Sequence, residues 1–470
     1  MVKSPFFWGI LNRIVQQCLS FINTMILARF LSPREFGTIG VLAIFISICS
    51  ILSDTGMGGS IIKEQRLTKE DCSTVLCYNF CFSLFLYLLL FFAAPYLEAY
   101  FNIKGLAKVS RWATLPLIIN AVAIVPRSLC AKKLEFNKAF YITFLSTLLS
   151  MIVAIFMARK GYGVWALVSY SIVLAMLDNI GYHIVERYLP RIGFSKKSFN
   201  KLFSFGLFTS LSTIVDVAYE NILSVLIGRN IGVVEVGYYS QAKKIEEAPS
   251  QSLSVTISTV AFPMLSKLID SPIDFKKLSY KIQSTLLSLG TPIMIIIAVF
   301  PKPIICFLLG NQWEEASHYL SILCFAGIFK ILETTNRTFI KSIGRADVLF
   351  KLSIVKRGFS IVVLLVAMNY GLVVLLWSYV LTSFLCAMIN AYSLSLISGF
   401  SFFSQLKNVL IIALPNLVLY YILYLISSID DNIPLTLLSI VLALLSYLLL
   451  LSYMDIINIS SYLKNRNNEV

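Results

Sequence analysis

Long apolar runs alternate with short polar segments along this chain of 470 residues. A helix needs roughly 20 apolar residues to cross about 30 Å of hydrocarbon, and about fourteen runs reach that length. We therefore predict an all-α polytopic membrane protein. The predicted spans cover residues 6–30, 36–60, 74–98, 111–134, 138–158, 163–186, 202–228, 234–266, 278–300, 316–342, 346–368, 371–397, 404–427 and 433–454.

Three short motifs recur in the same order about 200 residues later in the chain, as expected of duplicated halves. The pairs are Arg29–Gly40 with Arg229–Ser240, Arg127-Ser128 with Arg337-Thr338, and Tyr162-Gly163 with Tyr370-Gly371. Such a duplication is typical of secondary transporters. We predict a six-helix lobe over residues 1–190 and a second over 191–400, followed by two additional transmembrane helices and a cytoplasmic tail over 401–470.

The composition agrees with a membrane location. Hydrophobic residues make up 58% of the chain and charged residues only 13%, which leaves too few polar side chains to cover a soluble globule of this size. In the predicted topology, most of the 39 Lys and Arg residues lie in segments on the same side of the membrane as the N-terminus. Cytoplasmic loops retain positive charge, so this side is the cytoplasm. Both termini are therefore expected in the cytoplasm, and the net charge of +15 requires no nucleic-acid partner.

We expect no catalytic domain, cofactor or metal. The predicted loops are too short for a soluble domain, and the sequence contains no P-loop motif for nucleotide binding. Its nine Cys and two His residues show no metal-ligand spacing. The first apolar run carries Arg13, Gln16 and Gln17, so it does not resemble a cleavable signal peptide. Energy for transport would come from an ion gradient, from the substrate's own gradient or from another subunit.

Two predicted spans carry polar stripes that are costly against lipid. The stripe of span one contains Asn12, Arg13, Gln16 and Asn23, and that of span seven contains Asp216, Glu220 and Asn221. Spacing close to one helical turn places each set on one face, so we predict that both stripes line a cavity. The alternative is that they join helices through interhelical hydrogen bonds.

The two acids of span seven form a candidate ion site. Asp216 and Glu220 are one helical turn apart. Each negative charge opposes the ionisation of the other, and burial adds to that effect. We therefore predict that this pair carries a coupling ion, either H+ or Na+.

Basic residues inside the spans indicate an anionic substrate. Arg127 in span four and Arg337 in span ten occupy matching positions, and with Arg13 and Lys330 they predict a cationic vestibule. Guanidinium groups bind phosphate oxygens bidentately, which Lys cannot do. The alternatives are that both arginines anchor helix ends at the membrane surface and that Lys330 pairs with Glu333.

Four charged residues near the start of span eight have a structural interpretation. Lys243 stands three residues before Glu246, and Lys244 stands three residues before Glu247. Residues at this spacing are neighbours on a helix surface, so we predict that each pair neutralises itself.

Four stretches of the sequence together resemble a known family. They are ILARFLSPREFGTIG, SDTGMGGSIIKE, GYGVWALV and FPMLSKL. These stretches and their order are similar to those of the Wzx-type polysaccharide and O-antigen flippases of the multidrug, oligosaccharidyl-lipid and polysaccharide (MOP) exporter superfamily. The resemblance implies two lobes around a central cavity and a transporter rather than an enzyme.

The same resemblance implies a substrate and a location. A lipid-linked (polyprenyl-diphosphate) oligosaccharide would pass by alternating access from the cytoplasmic to the periplasmic leaflet of a bacterial inner membrane. The product would serve the biosynthesis of cell-surface polysaccharide, such as lipopolysaccharide O-antigen or exopolysaccharide. Membrane lipids are expected partners, and H+ or Na+ and other polysaccharide-assembly proteins are candidate partners.

Residue chemistry suggests how such a substrate would be held. The diphosphate would lie against Arg13, Arg127, Arg337 and Lys330. Sugar hydroxyls would bond to Asn12, Gln16, Asn23 and Asn221, and the coupling ion would bind Asp216 and Glu220.

Two other functions fit parts of the pattern. A cation-coupled multidrug exporter of the same superfamily would favour an acidic, aromatic cavity, against which the in-span arginines argue. An O-antigen polymerase-type membrane enzyme would require a large periplasmic loop, and the predicted topology contains none.

Overall fold

The computed structural model describes residues 5–54, 57–190, 193–256, 261–269 and 271–427, together with Leu444 and Tyr447. These residues form helices and turns without any strand, which confirms the predicted all-α class. The first helices are α1 (Pro5–Ala28), α2 (Pro33–Asp54), α3 (Met57–Lys63), α4 (Lys69–Phe101), α5 (Leu106–Ala113), α6 (Pro116–Lys132), α7 (Phe136–Arg159) and α8 (Val164–Glu186). The later ones are α9 (Lys196–Asn230), α10 (Val233–Thr256), α11 (Phe262–Ser266), α12 (Pro272–Val299), α13 (Pro301–Leu309), α14 (Ala316–Ser342), α15 (Ala346–Ala367), α16 (Leu372–Ser398) and α17 (Phe402–Ser427).

Ten helical segments in the described ranges are long and apolar enough to cross a membrane. They are Pro33–Lys63, Lys69–Phe101, Leu106–Lys132, Phe136–Arg159, Val164–Glu186, Ile273–Val299, Ala316–Ser342, Lys351–Tyr370, Leu372–Ser398 and Phe402–Ile426. The predicted spans one, seven and eight correspond to α1, α9 and α10, long helices that carry the polar and charged residues identified above. The predicted span 433–454 lies outside the described residues, apart from Leu444 and Tyr447.

The contacts divide the chain into two compact units. The first contains the chain up to Ser240 together with Leu308–Gln312, and the second contains Gln241–Phe307 and the chain from Trp313 onwards. Helix α9 therefore packs in the first unit, although the sequence duplication places it at the start of the second half. Packing and sequence duplication are different criteria for dividing a chain. The division into lobes at 1–190 and 191–400 and a final segment at 401–470 therefore stays a prediction.

The first unit contains an apolar core that joins α3, α4, α6 and α9. Its buried members are Met57, Ile61, Cys72, Val75, Leu76, Val125 and Leu202. Two hydrogen bonds fix α3 on its neighbours: Ser60 Oγ donates to the Leu202 carbonyl at 2.8 Å, and Lys132 Nζ donates to the Ile61 carbonyl at 3.2 Å. This packing holds α3 rigidly against α6, next to the cavity described below.

The second unit is joined by buried polar contacts as well as by apolar packing. Asn408 on α17 donates to Gln283 Oε1 on α12 at 3.0 Å and accepts from Ser284 Oγ at 2.9 Å. The Tyr447 hydroxyl donates to the Ser288 carbonyl at 3.2 Å. These bonds satisfy polar groups that would be costly to bury alone.

Backbone conformation explains one of the sequence echoes. Gly163 begins α8 with φ +58°, and Gly371 begins α16 with φ +95°. L side chains disfavour these conformations, so each position favours glycine. The same two helices end on left-handed residues, Arg187 and Gly399. The matched Tyr-Gly motifs therefore mark equivalent turns in the two halves.

Helix capping explains a second echo. Glu35 is the third residue of α2. Its Oε2 accepts from the backbone N–H of Ser32 at 2.6 Å and from the Ser32 hydroxyl at 3.0 Å. Glu235 takes the equivalent place at the start of α10, and a Cβ built on Gly232 would lie 2.6 Å from its Oε2. The Glu35 carboxylate thus caps the start of α2, as the glutamate of a capping box does, and Glu235 lies in the matching place in α10.

The glycines of that same echo bring two helices into backbone contact. A Cβ built on Gly37 of α2 would lie 1.8 Å from the Val233 carbonyl oxygen, and one on Gly237 of α10 would lie 1.9 Å from the Pro33 carbonyl oxygen. Neither position can hold a side chain without moving a backbone. The matched glycines are therefore the crossing point of α2 and α10.

Candidate functional site

A cavity of about 620 Å³ opens in the first unit between the end of α2, α3 and α6, with Thr213 of α9 at its edge. This volume lies within the range typical of sites for small molecules, about 300–1,000 Å³. Much of the wall is apolar. Its charged and polar side chains are Ser50, Ser53, Asp54, Asn120, Arg127, Ser128 and Thr213.

The local sequence builds this wall with glycine. The described part of α2 reaches Asp54, and α3 is described from Met57, within the glycine-rich SDTGMGG stretch. Gly58 donates its backbone N–H to Asp54 Oδ1 at 3.4 Å. A Cβ on Gly58 would lie 3.0 Å from Ser128 Oγ, so a glycine here lets α3 approach α6.

Arg127 is the cationic group of the cavity. Its guanidinium lies 3.8 Å from Asp178 Oδ2 on α8, and the two side chains are 46% and 15% exposed. It also lies 5.4 Å from the centre of the Tyr182 ring. A long ion pair with a half-exposed cation leaves guanidinium surface open to the cavity. Arg127 can therefore bind an anion without first breaking a tight contact.

Sequence reasoning did not select Asp54 or the hydroxyl and amide groups around it. Asp54 is an exposed carboxylate at the cavity wall, inside the predicted span 36–60. An ionisable residue within a span is a functional candidate by default, and that signal was available in the sequence. Asn120, Ser50 and Ser128 carry no such signal, because single polar residues are common in membrane helices.

The structure places the stripe of α1 against α7. Asn12 Oδ1 accepts from Thr143 Oγ1 and Gln16 Oε1 accepts from Thr147 Oγ1, both at 2.8 Å. These contacts are interhelical hydrogen bonds of the kind given as the alternative. Asn23 is buried and Arg13 is exposed. Sugar or phosphate binding by the four residues stays a prediction.

The stripe of α9 begins near the cavity. Thr213 lines it, and Asp216 follows three residues later. Asp216 is half-buried and Glu220 is exposed, whereas Asn221 Nδ2 donates to the Val217 carbonyl of its own helix at 2.9 Å. The coupling role of the two acids stays a prediction.

Lys330 in the second unit pairs across helices rather than locally. Its Nζ lies 3.2 Å from Glu247 Oε1 on α10. The expected local partner, Glu333, instead lies 2.8 Å from Lys356 Nζ and 3.7 Å from an Arg357 nitrogen, both on α15. The alternative Lys330–Glu333 pair is therefore wrong, because stronger partners approach from neighbouring helices.

The charged residues at the start of α10 form an ion pair at a spacing other than the predicted one. Lys243 Nζ lies 3.8 Å from Glu247 Oε1, at a spacing of four residues instead of three. Glu247 is thus shared by Lys243 and Lys330, and Glu246 has no ion pair within the described chain. Arg337, on the same helix as Lys330, is near enough to Glu333 to act on it electrostatically.

One cluster has the spacing of a metal site. Ligand atoms of Cys130, Glu135 and Glu186 lie within 4.8 Å of one another. Both carboxylates already have cations: Lys133 pairs with Glu186, and Lys138 lies 2.8 Å from Glu135. The hydrogen bond to Glu186 raises the pKa of Lys133, and that to Lys138 lowers the pKa of Glu135. We interpret the cluster as an ion-pair network that joins α8 to the turn before α7.

Comparison with known proteins gives a consistent result. The model of the family described as polysaccharide biosynthesis protein matches residues 26–318. The succinoglycan biosynthesis transport protein ExoT of Rhizobium meliloti (strain 1021) is 27% identical over 73% of this chain and 69% of its own. The lipopolysaccharide biosynthesis protein WzxC of Escherichia coli (strain K12) is 22% identical over 74% of this chain and 71% of its own.

Solved structures share the fold. The lipid II flippase MurJ in an inward closed conformation superposes with a TM-score of 0.75 at 17% identity, over 96% of this chain and 98% of that one. An inward-facing multidrug transporter of the MATE family, in the MOP superfamily, superposes with a TM-score of 0.60 at 14% identity. The match covers 87% of this chain and 99% of that one. At such identities the similarity concerns the fold alone.

Proposed function

Because the chain belongs to the polysaccharide biosynthesis protein family, is a multi-pass transporter rather than an enzyme, and shares the fold of a MOP-superfamily transporter, we propose that it is a flippase for a lipid-linked oligosaccharide. It moves a polyprenyl-diphosphate oligosaccharide from the cytoplasmic to the periplasmic leaflet of a bacterial inner membrane. The glycan then enters the biosynthesis of a cell-surface polysaccharide. Both termini face the cytoplasm, in keeping with the bias of positive loops.

The cavity that contains Arg127 is the observation that carries this proposal. A diphosphate needs a cation with several donors, and a guanidinium supplies them in a planar fork. The oligosaccharide needs neutral donors and acceptors, which Ser50, Asn120 and Ser128 provide on the same wall. The volume of about 620 Å³ accommodates a sugar and part of a diphosphate head. The polyprenyl tail stays in the bilayer.

The other predicted residues take supporting places in this mechanism. Arg337 is the counterpart of Arg127 in the duplicated half and, with Lys330, attracts the diphosphate in the second unit. Arg13, exposed on α1, attracts the diphosphate in the first unit. Asn12, Gln16, Asn23 and Asn221 bond to sugar hydroxyls when their helices separate during alternating access. Asp216 and Glu220 exchange the coupling ion.

The test is accumulation of lipid-linked oligosaccharide in cells from which the gene is deleted, with protein levels checked for every variant. We expect wild type to clear the intermediate, Arg127→Ala to leave it in the inner leaflet, and Arg127→Lys to clear it partly. Arg111→Ala is the matched control, because Arg111 lies on Phe91 at 4.2 Å, away from the cavity wall. It should clear the intermediate as wild type does.

Two results would overturn the proposal in different ways. If deletion causes no accumulation, the chain is not the flippase of such an intermediate. If Arg127→Ala clears the intermediate as fully as wild type, the phosphate site is elsewhere and Arg127 only anchors α6.

Asp54 favours a second candidate function. A carboxylate at the cavity wall suits a cationic solute, as a cation-coupled multidrug exporter would require. Efflux of a cationic dye, compared between cells with and without the chain, tests this candidate. Efflux that depends on the chain and is lost in Asp54→Asn would place drug export first.

A further inference from the structure

We propose that Glu246 of α10 is a proton-binding site, neutral while α10 is packed on α14 and ionised when the two helices separate. The proposal goes beyond the proposed function, because it names a coupling group on a different helix from Asp216 and Glu220. Only the link between proton exchange and transport rests on the proposed flippase function.

The surroundings of Glu246 disfavour a negative charge. The residue is only 4% exposed, and its Oε1 atom has no hydrogen-bond partner. A Cβ built on Gly327 would lie 2.5 Å from that oxygen and 3.1 Å from both the sulfur and the methyl carbon of Met294. The carboxyl group is therefore pressed against the backbone of α14 beside an apolar side chain of α12. Burying an unpaired anion in such a place is unfavourable, and the neutral acid avoids that cost.

Neighbouring cations compensate this charge only in part. The charged and titratable groups that face Glu246 are Lys243 and Glu247 on α10 and Lys330 and Cys324 on α14. Both lysines are engaged by Glu247, at 3.8 and 3.2 Å. Glu247 also opposes a second negative charge beside it. Ser250, one turn further along α10, donates to the backbone carbonyls of Glu246 and Glu247, at 3.4 and 3.2 Å.

Glu333, a second buried acid of the same unit, shows what a stable buried carboxylate requires. It is 7% exposed, yet it has Lys356 at 2.8 Å and Arg357 at 3.7 Å. Glu246 has similar burial without either kind of partner. The difference identifies Glu333 as a permanent anion and Glu246 as a group that must gain or lose a proton with its environment.

The proton balance is simple. A proton from water converts the Glu246 carboxylate to a neutral carboxyl as α10 closes on Gly327. Ionisation returns the proton to water, and the charge then requires solvent that reaches it only when α10 moves away from α14. Protonation is thus tied to one state of this helix pair.

The experiment uses dicyclohexylcarbodiimide, which adds to protonated carboxyl groups in apolar surroundings. Full-length protein in liposomes is treated over a pH series, and the labelled positions are mapped by mass spectrometry. We expect label on Glu246 that falls about tenfold for each pH unit once the group is mostly ionised. Glu246→Gln should lose this label, and Glu333 should stay unlabelled throughout.

Absence of label on Glu246 at every pH, or equal labelling of Glu246 and Glu333, would overturn the proposal. Wild-type labelling alone decides this, so the result stands even if a variant folds poorly. The measurement needs no glycan substrate. A failed flippase assay with positive labelling therefore rejects only the proposed function, and negative labelling in a working flippase rejects only the proton site.

Discussion

Two ion pairs, one in each unit, show opposite uses of charge inside a membrane protein. Arg127 and Asp178 are 3.8 Å apart, and the arginine side chain is 46% exposed. Lys356 and Glu333 are 2.8 Å apart and only 4% and 10% exposed, and Asn390 Oδ1 accepts from the same Lys356 Nζ at 2.8 Å. The charges of the tight network are buried and engaged with one another, whereas the loose pair leaves guanidinium surface exposed. Charge inside a span therefore indicates binding only when its partners are distant.

Loss of Lys356 should have the largest effect on stability. Lys356→Met leaves Glu333 buried with Arg357 at 3.7 Å, and breaking a buried pair in this way costs about 3–5 kcal/mol. Thermal unfolding in detergent measures the loss. Lys351→Met, an exposed lysine on the same helix, is the control and should be nearly neutral. Equal behaviour of the two variants would show that the buried network does not hold the second unit together.

The second largest effect on stability is expected at a tight contact in the first unit, away from the cavity. Gly37→Ala places a methyl group against the Val233 carbonyl and should destabilise the protein by about 1–3 kcal/mol. Gly358→Ala in α15 is the control, because its Cβ would meet nothing within 4 Å. That change should stabilise its helix by up to about 1 kcal/mol. Opposite shifts in melting temperature would confirm the crossing of α2 and α10, and shifts of the same sign would contradict it.

Arg127→Ala should affect transport far more than stability. Because the ion pair with Asp178 is long and half-exposed, its removal should cost less than about 1 kcal/mol. Melting temperature and clearance of lipid-linked oligosaccharide are measured on the same preparation of cells. A loss of stability as large as that of Lys356→Met would mean that Arg127 is structural, and the comparison between the two units would fail.

The smallest effect is expected at the turn before α7. Lys138→Ala removes the 2.8 Å partner of Glu135, an exposed pair worth a few tenths of a kcal/mol. Lys138 lowers the pKa of Glu135, so the pair stabilises the fold above the ordinary pKa of Glu. Its contribution disappears as pH falls through the lowered value. Unfolding of wild type and variant should therefore differ at neutral pH and coincide in acid.

The sequence predicted the elements well because their causes are local. Apolar runs are long enough to identify spans from composition alone, and the echoes mark turns such as Gly163 and Gly371 whose backbone requires glycine. The Glu35 echo also has a local cause, the cap at the start of α2, although that role was not predicted from the sequence. The family resemblance drawn from short stretches was confirmed by the match over residues 26–318.

The site was harder to predict because it depends on which helices meet. Asn12 and Gln16 share a helix face as expected, yet that face meets Thr143 and Thr147 on α7. Lys330 finds Glu247 on α10 rather than the nearby acid of its own helix. Local spacing fixes which side chains share a face, and only the packing of distant segments decides what that face contacts.

The crossing of Gly37 and Gly237 also bears on how this chain arose. Each glycine packs on the backbone of the other's helix, so the contact is reciprocal between the two copies of one motif. In an ancestral dimer of half-length subunits this would be an isologous interface, where a single mutation changes both sides at once. In a single chain the two sides can mutate independently, and this chain has glycine at both. A side chain at either position would meet the backbone of the other helix, so the contact requires glycine on both sides.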